Sequence, residues 1–375
     1  MNDANTRVLV VDDTVTYRLL VKELLTGVPN VEVVGTAPNG KIALSKIEQL
    51  RPDLLTLDLE MPVMDGLELL RHLKESNNEV GAIVLSGTSK HGANATMTAL
   101  ELGAFDFVAK PAGSNSAESS KMLKQQIGPK IEAFARAKKH RTITHRRHAS
   151  APSTATSPRQ SVESERAGQT LQSVSSHSGQ VDVIAVGIST GGPQALNQML
   201  PQLPADLPVP VLLVQHMPPV FTKSLADDLN KRCAITVVEG TDGQEAVPGH
   251  VFIAPGGKQM KVVRESTRLK IRITDDPPEN NCLPSVDYLF RSVTRVFGPN
   301  AVAVIMTGMG TDGAQGCRQM KQRGAKIIAQ DEASCVVFGM PRGPVEEGIA
   351  DLVLPLNDIA AQIVRLARRG AVACT

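Results

Sequence analysis

The chain has 375 residues, enough for two domains with separate cores. Its 40 basic and 38 acidic side chains leave a formal net charge of +2, too little to argue for nucleic acid or a membrane surface as partner. With no tryptophan and two tyrosines, it has few side chains on which bases could stack. Five cysteines (Cys233, Cys282, Cys317, Cys335, Cys374) are odd in number and lack paired metal spacing, which fits a reducing cytoplasm. The first residues show no signal-peptide pattern. No apolar run approaches the roughly 20 residues that span a bilayer, so an integral membrane protein is not expected.

From the N-terminus, short β-branched runs predict strands at Arg7–Val11, Val31–Val34, Asp53–Asp58, Ala82–Ser86 and Phe105–Ala109. Helix-period segments at Thr16–Leu25, Gly40–Leu50, Gly66–Lys74 and Ala93–Leu102 separate them. Strict alternation implies an open parallel sheet with helices on both faces, and its ligand site at the carboxyl ends of the strands. Asp12, Asp13 and Asp58 fall at those ends. Like charges packed together are costly unless a divalent cation binds them. Ser86 ends the fourth strand, and Lys110 precedes Pro111 after the fifth.

These residues closely resemble the receiver domain of two-component response regulators. The resemblance rests on Val10-Val-Asp-Asp13, Leu57-Asp-Leu-Glu-Met-Pro62, Asp65-Gly66, Leu85-Ser86 and Lys110-Pro111. It implies a flavodoxin-like fold in which Asp58 accepts a phosphoryl group from a histidine kinase. Asp12, Asp13, Asp58 and the backbone carbonyl of Glu60 would bind Mg²⁺. Ser86 and Lys110 would contact the phosphoryl group, Phe107 would be the switch aromatic, and the Lys110-Pro111 bond would be cis.

Helical period continues through Met122, Leu123, Ile127, Ile131 and Phe134, with Gly128-Pro129 as a kink or restart. A basic tract, Arg136 to His148, leads into a Ser-, Thr- and Gln-rich stretch from Ala149 to Gln180 with almost no large apolar residues. Such a composition cannot offset the entropy of ordering, so residues 139–180 read as a flexible linker. Residues 1–138 and 181–375 flank it as domains. The basic tract also suits an anionic partner or surface.

Alternation resumes at Val181–Val186, Val209–Gln215, Ile235–Val238, Val251–Ala254, Ala301–Met306, Ala325–Ala329 and Leu352–Leu354. Met260–Arg264 and Leu269–Ile273 flank a polar turn and predict an antiparallel hairpin. The fold class is therefore α/β, with two doubly wound parallel-sheet domains, the second Rossmann-like with an added hairpin. Gly187-Ile-Ser-Thr-Gly191 fits the G-x-S-x-G pattern of a nucleophile on a strand–turn–helix. The same turn would also suit a phosphate, or simply close a strand–helix unit. His216 follows the strand ending at Gln215, and Asp312 lies in a glycine-rich turn past another strand. If these ends share one edge, Ser189, His216 and Asp312 form a nucleophile, base and orienting acid. Their order along the chain, Ser–His–Asp, differs from that of the α/β-hydrolases.

This half resembles the catalytic domain of the CheB family of chemotaxis protein-glutamate methylesterases. The shared motifs are Gly187–Gly192, Gln215-His-Met-Pro218, Pro248–Gly256, Pro284-Ser-Val-Asp287 and Thr307–Ala314. A receiver ahead of this domain is that family's arrangement. Ile188 stands where the family usually has alanine, and the linker is longer than common. The resemblance implies hydrolysis of glutamate γ-methyl esters, and deamidation of glutamines, on the cytoplasmic helices of chemoreceptors. Met309 N–H, with Thr190 beside it, would receive the oxyanion, and phosphorylation by a chemotaxis kinase would uncover the site. No cofactor is implied for the ester chemistry. A same-fold hydrolase of another ester or amide, or a phospho-dependent docking protein, would carry much of the same pattern.

Overall fold

A computed structural model describes residues 5–111, 116–149 and 180–369. The first half alternates β1 (Thr6–Val11), α1 (Val15–Thr26), β2 (Val31–Ala37), α2 (Gly40–Leu50), β3 (Leu54–Asp58), α3 (Gly66–Glu75), β4 (Gly81–Ser86), α4 (Lys90–Glu101), β5 (Asp106–Ala109) and α5 (Ser116–Ala149). Its five strands are all parallel, in the order β2-β1-β3-β4-β5. Period-2 alternation sends Val8 and Val10 to the face covered by α1 and α5, and Leu9 and Val11 to the face under α2, α3 and α4. The Asp65–Glu68 capping box starts α3 and fixes the chain just beyond Asp58.

Helix α5 runs through Gly128-Pro129 and on to Ala149, past the expected boundary at residue 138. The linker between this helix and residue 180 lies outside the described residues.

The second half contains β6 (Val183–Ile188), α6 (Gly192–Met199), β7 (Val211–Gln215), α7 (Phe221–Asn230), β8 (Thr236–Glu239), β9 (His250–Ile253), and the hairpin β10 (Gln259–Glu265) and β11 (Arg268–Thr274). Then come α8 (Val286–Phe297), β12 (Ala301–Ile305), α9 (Ala314–Gln322), β13 (Lys326–Gln330), α10 (Arg342–Glu346), β14 (Leu352–Leu354) and α11 (Leu356–Arg369). Seven parallel strands are ordered β14-β13-β12-β6-β7-β9-β8. The order reverses between β12 and β6, the place where open α/β sheets bind ligands. One face packs on α8, α9 and the hairpin, the other on α6, α7 and α11. The helices on both faces and the antiparallel hairpin match the expected fold class.

The two halves share one apolar cluster. It passes from Leu100 and Phe107 of the first half to Phe221 and Leu225 of the second. The rings of Phe107 and Phe221 stack with centroids 4.6 Å apart. Gln194 Nε2 donates to the carbonyls of Leu100 and Ala104 at 2.9 and 3.0 Å, and Arg232 pairs with Glu101. Among the described residues no helix is long and apolar enough to cross a membrane.

Phe290 on α8 is fully buried and packs against Gly316 of α9. Phe290→Ala is expected to destabilise the second domain by about 3–5 kcal/mol, read as a lower urea midpoint at unchanged slope.

Candidate active site

Parallel register sets the geometry. Ile188 of β6 pairs with Gln215 of β7, so the next residues, Ser189 and His216, leave adjacent strands side by side. His216 N–H donates to the Ile188 carbonyl at 3.2 Å, and Ser189 N–H to that of Thr307 beyond β12 at 3.0 Å. The Ser189 carbonyl accepts from Gly192 N–H at 2.7 Å and from the buried Gln215 amide at 3.0 Å. Gly191 turns the chain at φ +77°, a conformation that favours glycine. A side chain at Gly192 would collide with Gln215 Oε1, 1.9 Å from its Cβ position. The glycines of this turn thus let β6 pass into α6 with Ser189 at the bend.

His216 Nε2 lies 2.8 Å from Asp312 Oδ2. A carboxylate only accepts, so the proton sits on Nε2 and the Nδ1 lone pair faces away from Asp312, with Cys282 Sγ 3.8 Å from it. Asp312 also accepts from Val286 N–H (2.7 Å), Asp287 N–H (3.1 Å), Ser285 Oγ (2.9 Å) and Asn280 Nδ2 (2.9 Å). Ser285 caps α8, so the carboxylate sits on that helix's N-terminus, where partial positive charge collects. Burial pushes the Asp312 pKa up, but the His216, Asn280 and Val286 bonds outweigh it and hold it at about 2. Its neighbour Asp287 goes the other way: burial raises its pKa from the ordinary value.

Among the described residues Ser189 Oγ makes no hydrogen bond to His216, which is common in catalytic pairs before substrate binds. Gly308 backs onto Ser189, its Cβ position being 2.8 Å from Ser189 Cβ. Next to it, Met309 is exposed and its N–H has no partner among the described residues. The Thr190 hydroxyl has a partner of its own. It donates across the domain boundary to Asp106 Oδ2 at 2.8 Å, and Lys130 Nζ binds the same carboxylate at 2.6 Å.

In the first domain, Lys110 Nζ reaches Asp58 Oδ2 at 2.7 Å and Asp12 Oδ2 at 3.0 Å. Burial pulls the Lys110 pKa down, but the two carboxylates outweigh it and hold it above its usual value. Burial raises the Asp12 pKa. Carboxylate oxygens of Asp12, Asp13 and Asp58 lie within 4.8 Å of one another, an all-oxygen set that fits a hard divalent cation. Glu60 follows, its N–H 3.4 Å from Asp58 Oδ1. Ser86 is turned inward, bonded to Thr96 Oγ1 at 2.7 Å and to the Gly92 carbonyl at 3.1 Å. The cis peptide among the described residues is Leu283-Pro284, so the expected cis Lys110-Pro111 bond is absent. Lys110 reaches both carboxylates without it.

Sequence reasoning missed Asn280, Gln215, Asp106 and Tyr17. Asn280 bridges Asp287 and Asp312, and Tyr17 lies beneath the Lys110 ammonium, 4.6 Å from ring centroid to Nζ. Gln215 stands in the motif around His216, but no local pattern gives its contact with Ser189 or marks the other three, since each acts through a partner distant in the chain.

Residues 184–363 match the CheB methylesterase family, and residues 8–120 match the response regulator receiver domain. A protein-glutamate methylesterase/protein-glutamine glutaminase of Desulfotalea psychrophila is 50% identical over 363 residues, covering 96% of this chain and 98% of its own. The Trichodesmium erythraeum protein of the same name is 41% identical over 360 residues, covering 96% and 98%. The crystal structure of the Thermotoga maritima CheB methylesterase catalytic domain is 40% identical, covers 50% of this chain and 99% of that one, and has a TM-score of 0.49. The class is a response regulator whose output domain is a hydrolase. The chain belongs to the protein-glutamate methylesterase/protein-glutamine glutaminase family.

The depressed Asp312 pKa has a consequence for acid stability. A folded-state value below the unfolded 3.8 gives stability that is present above 3.8 and lost as the pH falls towards about 2. Asp312→Asn should therefore be less stable than wild type near neutrality, with the difference shrinking across that window in urea titrations at stepped pH.

Proposed function

We propose that this protein hydrolyses glutamate γ-methyl esters and deamidates glutamines on chemoreceptors in the cytoplasm, under control of phosphorylation at Asp58. The observation that carries the reading is the His216–Asp312 pair standing beside Ser189 at the sheet's switch point. Ser189 Oγ attacks the ester carbonyl carbon while His216 Nδ1 takes its proton. Asp312 stabilises the imidazolium through Nε2–H, the ring nitrogen it already binds. Met309 N–H donates to the oxyanion. The His216 proton then goes to the departing methanol, or to ammonia from an amide. Water attacks the acyl-serine with His216 again as base, and glutamate is released. Thr190 supports this edge through its contact with Asp106 rather than as an oxyanion donor.

Residues 1–138, extended by the rest of α5, form the receiver, and residues 181–375 the catalytic domain. A histidine kinase supplies the phosphoryl group to Asp58. Asp12, Asp13, Asp58 and the Glu60 carbonyl would hold Mg²⁺, which offsets phosphoryl charge when bound. Lys110 would move from Asp58 Oδ2 to a phosphoryl oxygen, and Ser86 would turn towards it. A phosphoryl group adds about −1.5 to −2 charge at neutral pH. Lys110 follows directly on β5, which carries Asp106 and Phe107, the residues that touch Thr190 and Phe221. Moving Lys110 therefore pulls on the contacts that hold the receiver over the catalytic edge.

Methanol release from methylated receptor is the test. Ser189→Ala should lower it by at least about 10⁴-fold. A small-molecule phosphodonor with Mg²⁺ should stimulate wild type and leave Asp58→Ala at its basal rate. Failure of wild type to release methanol in any condition would remove the substrate assignment. Gln194→Ala combined with Arg232→Ala cuts side-chain contacts to the receiver. It should raise the unstimulated rate several-fold in the full chain, and an unchanged rate would count against the covering role.

A further inference from the structure

The half-buried Cys282 has no part in the chemistry above, yet its Sγ lies 3.8 Å from His216 Nδ1. Its loop is tightly held. Asn280 and Asn281 both have positive φ, and Glu279 and Cys282 exchange backbone hydrogen bonds at 3.2 and 2.7 Å. The Glu279 carboxylate is in turn pinned by Arg291. The thiol is thereby presented to the ring nitrogen that Asp312 leaves free.

We propose that His216 Nδ1 and Cys282 Sγ form a binding site for a thiophilic divalent cation, Zn²⁺ by preference, that switches the catalytic centre off. Zn–N and Zn–S bonds of about 2.0 and 2.3 Å at a tetrahedral angle place nitrogen and sulfur roughly 3.5 Å apart, close to the separation found here. Imidazole with thiolate is a donor pair that selects zinc over magnesium or calcium. The outer layer is also in place: zinc-bound histidines almost always donate their other ring N–H to a carboxylate, as His216 does to Asp312. Ligand atoms of His216, Cys282 and Asp312 lie within 4.8 Å of one another, but Asp312 is already taken up by Nε2 and acts as the orienting group. The His216 side chain keeps 15% of its surface exposed, so an ion can reach it.

Binding breaks the Cys282 S–H bond, forms Zn–S, and sends the proton to solvent. With metal, the Nδ1 lone pair is coordinated and cannot accept the Ser189 proton. Two side-chain ligands leave the remaining positions to water, which makes the site reversible, unlike a four-ligand structural zinc. The inhibition, though not the binding, rests on His216 being the general base.

The experiment uses the full chain in excess Mg²⁺, so that the receiver carboxylates do not compete for the probe. Co²⁺ replaces Zn²⁺ for a direct reading: wild type should show a near-ultraviolet sulfur-to-cobalt charge-transfer band, and Cys282→Ala should not. In methanol-release assays, each normalised to its own metal-free rate, Zn²⁺ should inhibit wild type and a chelator should restore it. Cys282→Ala should need about tenfold or more Zn²⁺ for the same inhibition, and Cys282→His should retain much of the sensitivity. No charge-transfer band in wild type, or equal zinc sensitivity in Cys282→Ala, would overturn the site. A cobalt band without any methanol release would uphold the site and instead remove the substrate assignment.

Discussion

Everything at the edge that carries Ser189 and His216 depends on one buried carboxylate. Asp312 accepts five hydrogen bonds, four from the α8 cap and the preceding loop and one from His216. A charge this buried would be destabilising without such partners. Because the donors come from a helix terminus and a rigid loop, the carboxylate is stationary, and so is the imidazole bonded to it. The strand register brings Ser189 to the same place from the other side. Two independent constraints, a helix N-terminus and a parallel ladder, therefore converge on a single ring.

The coupling between domains is short for a simple covalent reason. Asp106, Phe107 and Lys110 belong to one strand and the residue after it. Alternate side chains of that strand serve different neighbours. Asp106 engages Thr190 and Lys130, Phe107 stacks on Phe221, and Lys110 reaches back to Asp12 and Asp58. One short extended segment thus joins the acidic site to the residue next to Ser189, without a chain of intervening side chains.

Much of this was legible in the sequence because the decisive residues stand at strand ends marked by glycine. Val183–Ile188 into Gly191-Gly192, and Ala301–Ile305 into Gly308 and Gly310, announce strand, turn and site together. His216 was legible through the apolar run before it. What was not legible lies across the chain. Thr190 reads as an oxyanion neighbour until Asp106, 84 positions away, takes its hydroxyl. Ser86 reads as a phosphoryl contact, but Thr96 and the Gly92 carbonyl hold it inward. The basic tract reads as a tether, and α5 continues into it as far as Ala149. Cys282 carried no spacing signal, since its partner His216 belongs to another element.

The stacked Phe107–Phe221 contact and the shared apolar cluster give the domain junction a particular dependence on temperature. Attraction between apolar surfaces weakens on cooling, because it comes from water and carries a heat-capacity change. The apolar share of the junction therefore weakens in the cold, and the polar contacts of Gln194, Arg232 and Thr190 carry more of it there.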